Sequence, residues 1–109
     1  MPGAASVRAG NIYLSSECCA ACLAGVESVA VLERDGKLMV VPLAAGSAGG
    51  LLLKRRNARG DRVIHAQEIF RRCGYRESFE ECPISICWSA ELAALLLDGI
   101  PGSPGQLQT

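Results

Sequence analysis

The sequence predicts an α+β domain: a small, mostly antiparallel sheet of about four to five strands in hairpins, with three short helices, the last strongly apolar. Three observations lead there. Asp35-Gly36 stands between two apolar, β-branched runs. A second pair of strand-like runs flanks a turn at 57–61. Stretches rich in helix formers begin at serines or end at glycines. Hairpins followed by helices, rather than alternating strand and helix, favour antiparallel pairing.

The elements follow in order. Residues 1–10 are small and read as a flexible tail. Ser15 or Ser16 can cap a short helix running to Gly25, with Glu17 at the positive end of its dipole. Ser28–Arg34 and Lys37–Leu43 form a hairpin, because Asp-Gly accepts the positive φ of a tight turn. Pro42 has no N–H and belongs at a strand end or an edge. Residues 44–50 form a small-residue loop. Leu51–Arg56 is a strand, residues 57–61 turn the chain, and Arg62–His65 returns beside it. Ala66–Cys73 is a helix stopped by Gly74. After a polar turn at 80–83, Ile84–Trp88 alternates as a strand. Ser89 caps a helix over 90–97, closed by Asp98-Gly99. Pro101–Gly105 opens a second tail. The expected organisation is a tail at 1–10, one domain at 11–100 and a tail at 101–109.

The chain has 109 residues, half of them apolar, which suits one core. Its eleven basic and eleven acidic side chains cancel, which excludes a uniformly basic nucleic-acid coat and an acidic solvating tail. The zero hides three blocks. Residues 1–53 carry three basic against four acidic side chains, 54–76 carry eight against two, and 77–109 carry none against five. No apolar run approaches the ~18–20 residues of a membrane span. Residues 1–8 lack the basic-then-apolar order of a signal peptide, so a cytoplasmic protein is expected.

Five basic residues fall within nine positions: Lys54, Arg55, Arg56, Arg59 and Arg62. They are the candidate contacts for nucleic acid or another anionic partner. No aromatic side chain interleaves with them. Whether this segment lies open, or folds onto Glu77, Glu80 and Glu81, decides how much basic surface remains.

Six cysteines are many for this length. Cys19 and Cys22 have a metal-ligand spacing, and Cys82 and Cys87 are the available second pair for zinc or an iron–sulfur cluster. Against this, the first pair lies in an Ala-rich helix. The second, five apart in a strand, points to opposite faces. The alternative is that cysteine serves as a small apolar core residue.

His65 is the single histidine and has no thiol placed beside it by the sequence. No hydrolase, metalloprotease or phosphate-loop motif is present, so no catalytic residue and no cofactor are expected. Arg59-Gly60-Asp61 spells the adhesion tripeptide, but a turn accounts for it. The final helix is apolar nearly all round, more than one small chain can hide. Trp88, Leu92, Leu95 and Leu96 are therefore the candidate interface of a homodimer.

The order of strand, basic turn with glycine, returning strand and short helix ending in glycine over Leu51–Tyr75 resembles the swapped-hairpin transition-state regulators, a DNA-binding family. The resemblance covers about a quarter of the chain. It departs at His65-Ala66, where that family usually has a proline opening the helix, and at Tyr75-Arg76-Glu77, where it has Gly-Asp.

The reading that follows is a small cytoplasmic interaction or accessory module without catalytic chemistry, pairing with itself or another protein and not with a membrane. A nucleic-acid-binding regulator using the 54–62 turn and a Cys-ligated zinc or iron–sulfur protein stand as alternatives.

Overall fold

Alternation with a period of two governs burial across most of the chain. Ala5 and Val7, Ile12 and Leu14, Val29 and Val31, Leu38 and Val40, and Leu95 and Leu97 are all buried. Most of the residues between them are exposed or half-buried. Such a pattern belongs to strands with one face on a core and one towards water. A computed structural model describes residues 4–47 and 49–100 and shows how these strands assemble.

The elements are β1 (Ala5–Arg8), β2 (Asn11–Leu14), α1 (Ser16–Cys22), β3 (Ser28–Arg34), β4 (Lys37–Pro42), β5 (Leu51–Leu52), β6 (Lys54–Arg55), β7 (Arg62–His65), α2 (Gln67–Cys73), β8 (Cys82–Ser89) and β9 (Ala94–Asp98). The strands pair in the order β5-β3-β4-β9-β8-β1-β2-β7-β6, every pair antiparallel. The two ends of this sheet are neighbours in sequence. Residues 51–52 pair with β3, residues 54–55 pair with β7, and the buried Leu53 between them donates its N–H to Glu27 O at 2.9 Å. The sheet is thereby curled into a nearly closed barrel. The described residues are mostly β, with two short helices, and the expected four-to-five-strand α+β sheet with three helices is wrong.

Two errors account for most of the difference. The expected helix over 90–97 is a turn followed by strand β9. Ser89 does cap, accepting the Leu92 N–H at 3.2 Å, but the chain leaves the turn at Ala93, whose φ is +51°. Leu95 and Leu97 then enter the core while Leu96 stays outside. Helix propensities differ by only tenths of a kcal/mol per residue, and an isolated eight-residue helix is marginal. Here β4 and β8 satisfy the segment's backbone from both sides, so partners override propensity. The second error is the tail assigned to residues 1–10. Ala5–Arg8 is a strand between β2 and β8, and its turn, Ala9-Gly10, has the two positive φ values, 51° and 78°, of a hairpin. The C-terminal tail at 101–109 lies outside the described residues.

Other local expectations hold. Asp35 and Gly36 have φ of 55° and 79°, and the hairpin register runs from Arg34↔Lys37 to Val29↔Pro42. Ser15 caps α1 through Cys18 N–H, and the left-handed Gly74 stops α2. From α2, Phe70 is fully buried in the core. Tyr75 packs 5.6 Å from it and donates its hydroxyl to Gly36 O at 3.1 Å, tying α2 to the β3–β4 turn.

Candidate functional site

The basic turn is built around Asp61. Its Oδ1 accepts the Ser16 N–H at 2.8 Å, so the turn also holds the start of α1. Its Oδ2 accepts from Asn57 Nδ2 at 2.9 Å and from Arg59 at 3.1 Å. The Asn57 amide, the Ser16 N–H and Arg59 all favour the carboxylate, and they hold its pKa below the ordinary Asp value. Arg55 donates to the carbonyls of Asn57 and Ala58, and Arg62 to that of Leu53. Arg56 stacks over the Tyr13 ring at 4.5 Å. That aromatic partner comes from β2, far off in sequence. Lys54, Arg55, Arg56 and Arg59 are exposed, while Arg62 is half-buried.

The acidic last third makes no ion pair with this turn among the described residues, and Glu81 lines the same hollow as Arg56 and Asp61. Among the described residues, the one ion pair between the +6 block and the acidic block is Arg71–Glu77 at 3.2 Å. Glu81 accepts instead from the Ser6 hydroxyl at 2.6 Å.

The four proposed metal ligands are not brought together. Cys19 and Cys22 sit on α1, Cys82 and Cys87 on β8, and no three His, Cys, Asp or Glu side chains among the described residues converge on one ion position. Burial, with Cys19 and Cys22 adding to it, pushes the Cys18 thiol up to about 12, and burial raises Cys19 and Cys73 as well. Such thiols stay protonated at neutral pH and are poor nucleophiles. His65 is exposed and joined at Nδ1 to Asn11 Oδ1 at 2.9 Å, which also accepts from Gln67 at 2.8 Å.

The expected dimer residues are dispersed by the loss of their helix. Leu95 is in the core. Trp88, opposite Leu95 and on the same side of β8 as the buried Ile86, is 39 % exposed near the strand end. Leu92 lies in the β8–β9 turn, and Leu96 is on the outer barrel face.

That outer face carries what the sequence reading missed. Leu32↔Met39, Met39↔Leu96 and Leu96↔Cys87 are direct cross-strand partners, forming an apolar row across β3, β4, β9 and β8. Leu32 is 48 % exposed, Cys87 is exposed, and Met39 and Leu96 are half-buried. Beside the row lies a hollow of about 310 Å³ floored by Met39, Leu92 and Leu96 and rimmed by Arg34, Asp35, Lys37 and Glu91. The two-residue turn already fixes the Leu32–Met39 pair. The Met39–Leu96 and Leu96–Cys87 pairs exist only once β9 docks between β4 and β8.

No helix among the described residues is long and apolar enough to cross a membrane. No known family model, curated protein or solved structure matches this chain.

Proposed function

We propose that the protein is an interaction module that associates with a second copy of itself through the outer face of β3, β4, β9 and β8. The carrying observation is the apolar row Leu32–Met39–Leu96–Cys87 with its adjoining hollow. A two-fold interface must be self-complementary. The rim suits that demand, because it carries two basic residues, Arg34 and Lys37, and two acidic ones, Asp35 and Glu91. The contacts Arg34–Asp35 at 3.9 Å and Lys37–Asp98 at 3.5 Å are solvent-exposed and exchange readily for contacts across a dyad.

Sedimentation equilibrium tests this reading. At ~100 μM the mass should be twice the chain's 11.5 kDa. Leu32→Lys, at an exposed position, should restore the single-chain mass with an unchanged circular dichroism spectrum. A wild-type monomer at that concentration, or a Leu32→Lys dimer, refutes it.

One observation favours a second reading, nucleic-acid binding: Lys54, Arg55 and Arg56 are exposed together with no acidic partner among the described residues. Binding to duplex DNA would then weaken with salt at a log–log slope near −0.9 per phosphate contacted. The absence of binding at low salt removes it.

A further inference from the structure

The outer surface of β6, β7, β2 and β1 carries a different chemistry from the apolar row. Ile12 and Ile64 are partners and lie in the core, so by alternation Tyr13 and Val63, their neighbours, face outward. Register then sets Lys54, Val63, Tyr13 and Ser6 side by side across the four strands. Val63 is buried there although it stands outside the core cluster, so the longer side chains beside it cover it. Two residues along from Tyr13, Asn11 is the partner of His65. Asn11 joins the His65 ring at 2.9 Å and reaches the Tyr13 hydroxyl at 3.5 Å.

Arg56 completes this platform. Its guanidinium lies over the Tyr13 ring, 4.5 Å from the centroid, and Arg56 is exposed, so the stacked pair reaches solvent. Lys54 is exposed as well, and neither residue has an ion-pair partner among the described residues. Two acids, Asp61 and Glu81, share a hollow of about 240 Å³ with Arg56 and Tyr13 at the Ala4 and Ser15 end of the platform. Asp61 is occupied by Ser16, Asn57 and Arg59, and Glu81 accepts from the Ser6 hydroxyl. An anionic chain is repelled at that end and drawn to the Lys54 side.

We propose that this face binds single-stranded nucleic acid, with a base stacked on the Arg56–Tyr13 pair and a neighbouring phosphate on Lys54. The proposal rests on the nucleic-acid reading of the basic turn and names its ligand. An unpaired base offers its π-face to an aromatic ring or a guanidinium, and such stacking tolerates any sequence. A duplex keeps those faces covered and is read by an element that enters a groove. The β6–β7 ribbon is not free to enter one. Its strand β7 is paired along β2, and its turn is tied to the start of α1 through Asp61.

The probes are fluorescein-labelled strands of twelve nucleotides, read by anisotropy at about 20 mM salt: deoxythymidine, uridine, an abasic strand of the same length, and a matched duplex. The thymidine strand should bind about tenfold tighter than the abasic one, the scale of one or two stacked bases, and tighter than the duplex. Uridine should bind too, and the tighter of the two single strands identifies the sugar. Arg56→Lys keeps the charge and removes the planar group, so it should weaken the thymidine strand several-fold more than the abasic one. Lys54→Gln should weaken both strands alike and lower the log–log salt slope by about 0.7. Comparing two strands on one variant keeps the test independent of any loss of folded protein. Equal affinity for thymidine and abasic strands, or an Arg56→Lys loss shared equally between them, overturns the proposal. Tighter binding of the duplex overturns it and leaves the reading of the basic turn standing, whereas binding of none of the probes removes both.

Discussion

Gly10→Ala isolates how tightly α2 is docked on the β1–β2 hairpin. Gly10 has φ of +78°, and a Cβ built there would lie 2.9 Å from both Cα and Cγ of Gln67 and 3.2 Å from Glu77 Oε1. Gln67 Cγ can swing aside, but its Cα is backbone. Carbon atoms in contact prefer about 3.5–4.0 Å, so the first turn of α2 must retreat by roughly 0.6 Å. The left-handed backbone costs a residue with a Cβ about 1–2 kcal/mol, and overpacking of this kind adds about 1–3 kcal/mol. Gly36→Ala is the control. Its φ is +79°, yet a Cβ added there would meet nothing within 4 Å, so only the backbone cost applies. Urea unfolding should place Gly10→Ala about 1–3 kcal/mol below Gly36→Ala. At about 4–8 °C per kcal/mol for a domain of this size, the two melting temperatures should separate visibly. The Gly10 variant should also loosen the Ala66 N–H bond to Gly10 O, 3.0 Å in the wild type, as faster amide exchange. Equal losses in the two variants would refute the close approach of helix and turn.

Two further predictions probe the strand at 94–98 and the Asp61 hub. Leu95→Ala should cost about 2–5 kcal/mol by opening a cavity, whereas Leu96→Ala should cost about 1 kcal/mol or less and chiefly weaken self-association; denaturant titration read against sedimentation checks both. Asp61 has a lowered pKa when folded, so its contribution is present above the ordinary value of 3.8 and is lost as pH falls through the folded value. Asp61→Asn should therefore be less stable at neutral pH and should flatten the acid limb of a stability–pH curve; an unchanged limb contradicts the hydrogen bonds assigned to it.

Legibility in the sequence tracked the distance over which each decision is made. Asp35-Gly36, the Ser15 cap and the Gly74 stop act within a few residues, and each forms as the local chemistry dictates. The Ser89 cap also forms, but one satisfied N–H does not commit the next eight residues to a helix. Of the candidate sites, the basic cluster was visible as composition. Its stacking on Tyr13 and its hub at Asp61 were not, because those partners arrive from β2 and from α1. The apolar row was invisible beyond Leu32 and Met39 for the same reason: Leu96 and Cys87 join it through sheet register.

By itself, then, the sequence determined the Asp35-Gly36 hairpin, the Ser15 and Gly74 helix ends, and the location of the positive charge. The tertiary structure decided that the N-terminal residues form an inner strand and that a leucine-rich segment is a strand rather than a helix. It also decided that residues 51–55 change partners at Leu53 to curl the sheet into a barrel. Local rules act through backbone sterics and single hydrogen bonds and are written in neighbouring residues. Strand pairing satisfies the backbone of any sequence. Its outcome therefore rests on which faces can be buried together, a property of the whole chain.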